Sequence, residues 1–433
     1  MKNVRYVSLL VTVMLSVCCS REDDSGIPKV KNPISVMSPT PENTITRVSL
    51  SPEQATYANY GNSFAINTLK TLYSQNKGNM VVSPLSLQYA LGMAVNGASG
   101  ATAEELLKVL GVPDVESLND YCHLLLNQLP ALDKDVAIRL TDVALVKDCV
   151  EILDGYRSAL ENSFYAPLEY ISDRGTTLDR INEWAYRCTD GFIYPFLQEE
   201  DLSEDPLLIL LNALYFKAPW QGSEKESMFK AEATLKSKPF YIGGSNVTLV
   251  DYLVSEKHYR YGRLDDNGIV EIPYAGGKFA LYVILPDERY GLEKLVLNLE
   301  EESLRAAMNS MTSEAKVSLR LPKFEIEKKY DLRDALSKLG ISKVFAGNGE
   351  FDRMVKNNDA LRIDKLLQKA RIQLTEWGTE AGAVTAVEMV DTYYPDGGER
   401  PQIIDFHADH PFVFFIAEKT SGVILFEGAF AGV

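Results

Sequence analysis

The sequence predicts a mixed α+β domain built around one large sheet, and three observations carry that expectation. Apolar residues recur at helical spacing through the first half, and long apolar strand runs fill the second. No internal repeat or shift in composition separates the two halves. At 433 residues, length alone would allow two or three domains. The content, 46% hydrophobic and 24% charged, is that of a globular chain able to bury a large core. A net charge of −16 argues against nucleic acid and anionic membrane surfaces as partners, because both demand cationic patches.

Residues 1–17 have the pattern of a secretory signal: Lys2 and Arg5, then an apolar run from Tyr6 to Val17 too short to span a membrane. Leu15-Ser16-Val17-Cys18 resembles a bacterial lipobox, in which the cysteine is acylated, although Val17 departs from the usual Gly or Ala. Ser20 to Asp24 resembles the acidic tag of surface-exported lipoproteins. The expectation is a lipid anchor at Cys18 on the outer membrane or surface of a Gram-negative bacterium; a plain cleaved signal and a secreted protein is the alternative. Residues 18–52 are polar and carry Pro28, Pro33, Pro39, Pro41 and Pro52, which reads as a flexible tether. Cys122, Cys149 and Cys188 are odd in number and widely spaced, and are expected to be small buried apolar residues.

The folded domain is expected over 53–433. Phe64, Ile66, Leu69, Leu72 and Tyr73 recur at helical spacing. Asn79 to Leu87 reads as a strand entering a helix that Ser83 caps and Pro84 starts. Ala90 to Leu110 is helical, interrupted at Gly97/Gly100 and closed by Gly111. Leu207 to Lys217 is apolar nearly throughout, so burial on both faces is expected. Phe279 to Leu285 is a further strand ended by Pro286. Leu321 to Glu327 then precedes a helix carrying Leu332, Leu336 and Leu339 and capped by Gly340.

Glu376 to Tyr394 suits both a loop and a strand. As a strand, its odd positions would be Thr379, Ala381, Ala383, Thr385, Val387 and Met389, uncharged and mostly small, while Glu380 and Glu388 point the other way. Its glycines and alanines suit a mobile loop equally well. No proline occurs before Pro395, so every preceding N–H can join a ladder.

Enzymatic chemistry has no evident home. The sequence lacks a G-x-S-x-G elbow, H-E-x-x-H, Walker loop and G-x-G-x-x-G. Of four histidines, His407 and His410 sit near Asp405 and Asp409, but a strand would turn the two rings to opposite faces. A structural role is expected for them, and no metal or cofactor.

Glu376-x-Gly378-Thr379-Glu380-Ala381-x-Ala383-x-Thr385 resembles the hinge of the inhibitory serpins, suicide-substrate protease inhibitors. Val81-Val82-Ser83-Pro84-Leu85-Ser86 resembles their N-terminal helices, and Ile181-Asn182-Glu183-Trp184 the helix lying across their sheet. Asn212-Ala213-Leu214-Tyr215-Phe216-Lys217-Ala218-Pro219-Trp220 resembles another signature, with Ala218 in place of Gly. Leu321-Pro322-Lys323-Phe324 and the strands from His410 and Gly422 complete the likeness over roughly 57–433. It implies the serpin fold: a mixed central sheet, further sheets, eight or nine helices, and an exposed reactive-centre loop over about 376–402. It also implies inhibition of serine proteases, with cysteine proteases as further targets, by a monomer.

By the family's spacing the cleaved bond is Thr392–Tyr393, with Asp391 a neighbouring candidate. Elastase-like, subtilisin-like or chymotrypsin-like targets fit these residues. Trypsin-like ones are disfavoured, because no Lys or Arg lies between Glu376 and Pro395. The resemblance pairs Glu376 with Lys323, packs Trp220 nearby, and sets Asn212 under the sheet with Ser83 and Ser86. There the family commonly has a histidine, and the spacing puts Gln368 in its place. Glutamine can still hydrogen-bond Asn212 but cannot titrate, so no pH-sensitive opening is expected at that point. Two other readings stand beside this one: a non-inhibitory carrier or chaperone of the same fold, and a surface lipoprotein enzyme or glycan binder of another.

Overall fold

The computed structural model describes residues 30–39, 44–204, 206–222, 228–243, 246–314, 316–346, 349–356, 363, 366–379 and 403–432. Among them are nine α-helices: α1 (Pro52–Gln75), α2 (Pro84–Gly97), α3 (Gly100–Leu110), α4 (Val115–Gln128), α5 (Asp154–Phe164), α6 (Arg174–Cys188), α7 (Leu292–Asn298), α8 (Glu301–Ser310) and α9 (Arg333–Lys338). Local chemistry sets their ends. Ser51 and Gln54 form a reciprocal capping box before α1, with Pro52 at its first position. Ser83 caps α2 by accepting from the Ser86 N–H. Gly111 closes α3 in the left-handed region at φ 69°.

Three sheets are present among the described residues. The central one runs β11 (Phe324–Asp331), β12 (Leu367–Thr375), β13 (Gly378–Thr379), β4 (Leu208–Pro219), β2 (Ala137–Lys147), β3 (Leu168–Ile171). A second has the order β1 (Met80–Val82), β16 (Ile424–Phe430), β15 (Phe412–Glu418), β9 (Phe279–Pro286), β8 (Asn267–Pro273), β7 (Arg260–Leu264). The third is β14 (Ile403–His407), β10 (Lys316–Pro322), β6 (Asn246–His258), β5 (Leu235–Gly243).

Every residue of β15 and β16 is buried, which explains their near-continuous apolar sequence. Helix α6 lies on the central sheet, with Ile181 and Trp184 packed against Val143 and Leu145 of β2 and Leu211 and Ala213 of β4. The helical stretch expected over 90–110 is broken at Gly97/Gly100 as read from the sequence, with α2 already beginning at Pro84 and α3 closed by Gly111. Cys122 and Cys188 are buried as expected, but Cys149 is exposed, because it falls in the turn leaving β2.

The stretch expected as a tether is partly seated on the domain. Ile34 is buried in the layer beneath α6, its carbonyl accepting from Arg187 Nη2 at 2.6 Å, and the Ser35 N–H donates to Glu169 Oε1 at 2.5 Å. Val48 is buried as well, and the Ile45 N–H donates to the Ala131 carbonyl. These apolar side chains in a polar stretch hold it down, since burying one contributes about 1.5–3 kcal/mol.

Glu427 of β16 lies wholly inside, and neither carboxylate oxygen has a hydrogen-bond partner among the described residues. Burial pushes its carboxyl well above the ordinary 4.5, so it is buried protonated. The folded state therefore holds a proton the unfolded chain gives up. Stability from this group is complete below the ordinary value and declines as pH rises through and beyond it. Glu427→Met should stabilise the protein at pH 7.5 by about 1–3 kcal/mol, with a smaller gain at pH 4. Urea unfolding of both proteins across that range checks this.

Candidate functional site

The distinctive place in this fold is the strand position between β12 and β4. Only β13, two residues long, occupies it among the described residues. Thr379 pairs with Leu374 on one side and Ala218 on the other, and Gly378 with Thr375 and Pro219. Beyond those two residues β12 and β4 form no ladder with each other; β12 pairs with β11 and β4 with β2.

Each part of this start is held by its own contact. Gly378 has φ +150°, and a Cβ there would lie 2.1 Å from the Ala218 carbonyl oxygen, so only glycine fits. Thr379 is 3% exposed with its side chain turned inward, its Oγ1 2.5 Å from the hydroxyl of buried Tyr274. Trp220 stacks on Tyr274 with ring centroids 4.8 Å apart, and its Nε1 donates to the Thr375 carbonyl at 2.8 Å. The Trp220 N–H donates to the Trp377 carbonyl at 3.1 Å. Glu376 accepts from Lys323 Nζ at 2.8 Å and from Thr234 Oγ1 at 3.0 Å. Burial alone would raise the Glu376 carboxyl, but the Lys323 and Thr234 bonds with its own backbone N–H outweigh it and hold it below the ordinary range.

Deeper under the sheet, Ser83 and Ser86 on the first turn of α2 meet both neighbouring strands. Gln368 of β12 accepts from the Ser83 N–H at 3.0 Å and donates to the Ser83 carbonyl at 2.8 Å. The Ser83 hydroxyl donates to the Leu425 carbonyl at 2.8 Å. From β4, Asn212 Oδ1 accepts from the Ser86 hydroxyl, while its Nδ2 donates to Asp142 Oδ1 at 2.6 Å. Gln368 therefore does not take the expected place beside Asn212. Both ends of its amide are held by the backbone N–H and C=O of one residue, Ser83, and Asp142 supplies the partner Asn212 needs.

Ser83, Ser86, Asn212, Gln368, Trp220, Lys323, Glu376, Gly378 and Thr379 thus gather along one strand position. Glu380, Ala381, Ala383, Thr385, Asp391, Thr392, Tyr393 and Cys18 lie outside the described residues. Sequence reasoning missed Tyr274, Thr234 and Asp142. For Asp142 a signal existed: a carboxylate between Leu140-Thr141 and Val143-Ala144-Leu145-Val146, inside a strand run that reads as buried on both faces. His410 is structural here, its ring bonded to Asp409 and, at 2.8 Å, to the Pro286 carbonyl. No cluster of metal-ligating side chains is present among the described residues.

Residues 59–432 match the family model described as serpin, serine protease inhibitor. The chain belongs to the serpin family. It is 33% identical over 386 residues to Iripin-2 of Ixodes ricinus, covering 87% of this chain and 93% of that one. Among solved structures, the highly specific Serpin48 of the insect Tenebrio molitor superposes with a TM-score of 0.76 at 26% identity, covering 89% of this chain and all of its own. Human thyroxine-binding globulin has the same fold, with a TM-score of 0.77 at 21% identity over 88% of this chain and 99% of its own. The family is one of protease inhibitors, not enzymes.

In this serpin, Gly378→Ala should unseat β13. Forcing an L side chain to that φ costs about 1–3 kcal/mol before the clash with Ala218 is counted. A urea midpoint lowered by at least that amount is expected, together with faster hydrogen exchange at the Thr379 N–H.

Proposed function

We propose that this serpin is of the inhibitory type and acts as a suicide substrate for serine proteases. The observation that supports the reading best is the glycine–threonine start of a strand, paired on both sides, above a stretch where β12 and β4 share no ladder. The bait is the segment after it. The catalytic oxygen of a protease attacks the Thr392 carbonyl, the Tyr393 amine leaves, and an ester joins Thr392 to the enzyme. The released N-terminal side then adds to β13 and extends between β12 and β4, carrying the enzyme with it. Strand addition by a serpin loop is a worked example of this kind of recognition and of release of stored strain.

The residues permit this on three grounds. About 15 residues at ~3.4 Å each reach ~50 Å, enough to carry an enzyme from one end of the domain to the other. A central strand gains ladder bonds on both sides, and at a net ~1 kcal/mol each these sum to about 10–15 kcal/mol before entropy is counted. Thr379 is already accommodated, and Ala381 and Ala383 follow it on the same face in sequence, so strand entry begins with small side chains. A charged one would need desolvation costing several kcal/mol. A carrier or chaperone would be expected to have bulky or charged residues at these places.

Thr and Tyr at the bond suit elastase-like, subtilisin-like or chymotrypsin-like enzymes. We further propose that the protein is exported, monomeric and anchored through an acylated Cys18.

Incubation with elastase, subtilisin, chymotrypsin and trypsin should give a covalent band on a denaturing gel with at least one of the first three. Mass spectrometry should place the cut between Asp391 and Tyr394. Thr379→Arg should be cleaved at the same bond with the covalent band lost, because the arginine must be desolvated against Tyr274 for the strand to start. Unchanged trapping by that variant would falsify the mechanism. The wild-type chain cut at this bond should melt well above the intact protein; a cut form melting at or below it would argue against insertion.

A further inference from the structure

Both walls of the strand position are fastened to the same turn of α2. Gln368 ties β12 to Ser83, and Asn212 ties β4 to Ser86. Parting β4 from β12 must break one of these ties. Directly behind the second stands Asp142, opposite Asn212 in the β2–β4 register and fully buried. One carboxylate oxygen accepts from Asn212 at 2.6 Å, and the other has no hydrogen-bond partner among the described residues.

We infer that Asp142 makes the parting of β4 from β12 depend on pH, holding the sheet shut in mild acid and loosening it towards neutrality. The inference rests on the inhibitor reading only for its consequence, that parting admits the cleaved loop.

The groups facing Asp142 offer its charge no compensation. From α2 comes the Tyr89 phenol and from α4 the Cys122 thiol, with the Tyr121 phenol beside them. Burial first, and then neighbouring ionisable groups, Asp142 among them for Tyr89 and Cys122, pushes all three far up, so all are neutral at physiological pH. Ser83 and Ser86 on the cap of α2, Asn212 on β4 and Gln368 on β12 do not titrate. Among the described residues no cation acts on the carboxyl. Burial raises it from 3.8 to about 7, opposed only by the Asn212 bond.

The sign follows from linkage. The closed sheet holds the proton, while a parted sheet admits water and returns the group towards 3.8. Parting therefore releases a proton. The open fraction rises with pH by up to about tenfold per unit between the two values and levels off above about 7. Gln368, which cannot titrate, thus does not leave this region insensitive to pH.

The test is hydrogen exchange at the backbone N–H groups of β4 and β12 in the intact protein at pH 5.5, 6.5 and 7.5, corrected for the intrinsic pH dependence of exchange. The wild type should open at least about tenfold less at pH 5.5 than at pH 7.5, and Asp142→Asn should change less than about twofold. Equal slopes in the two proteins, or a flat wild-type profile, overturn the proposal. Should Asp142→Asn fail to fold, carboxyl-carbon NMR of aspartate-labelled wild type decides. A resonance assigned to Asp142 that titrates near 7 supports the proposal, and one near 3.8 overturns it. None of these measurements uses a protease. Loss of the covalent band alone would remove the inhibitor reading and leave this one standing.

Discussion

The requirement that strand edges be hydrogen-bonded governs this structure. Backbone N–H and C=O groups kept from water without partners cost about 1–3 kcal/mol each. In the central sheet, among the described residues, β12 and β4 share no ladder below Thr379. Everything around the upper end reads as support for a strand begun and not continued among the described residues. Gly378 lets the backbone pass over Ala218, Tyr274 receives Thr379, Trp220 closes the far side, and Lys323 anchors Glu376. The lower end is held by polar ties to α2, whose side-chain bonds can break and re-form without disturbing the helix.

Much of this was legible in the chain. The switch from helical to strand spacing gave the mixed architecture, and Ser83-Pro84, Gly111 and Gly340 marked helix ends because capping is local chemistry. The inward orientation of Thr379 followed from strand alternation alone. Cross-strand partners were not legible. Nothing local to Gln368 says that its amide will be gripped by Ser83, since that contact depends on how β12 lies against the cap of α2. Asp142 was overlooked for a similar reason. A charged residue in an apolar strand is visible, but whether it meets a cation, water or nothing is decided by other elements. The polar composition of residues 18–52 likewise hid two anchors, Ile34 and Val48, whose burial depends on grooves made elsewhere.

Two of the buried acids, Glu427 on β16 and Asp142 on β2, lie on strands linked to the same serine cap, the first through Leu425 and the second through Asn212. Each departs from the rule that buried charges are paired, and each is accommodated by taking up a proton. Stability and sheet opening are thereby coupled to proton uptake through two carboxyls rather than an imidazole.

The Ser83 hydroxyl donates to the Leu425 carbonyl, 342 residues further along the chain, and β1 pairs with β16 across a similar separation. Contacts of such long range are slow to form, because the intervening chain must be closed into a loop first. The second sheet therefore stays incomplete until the segment around Leu425 has left the ribosome. Until then the growing polypeptide carries a wholly apolar β1 with no strand to pair with, and early synthesis is when it is most exposed to aggregation.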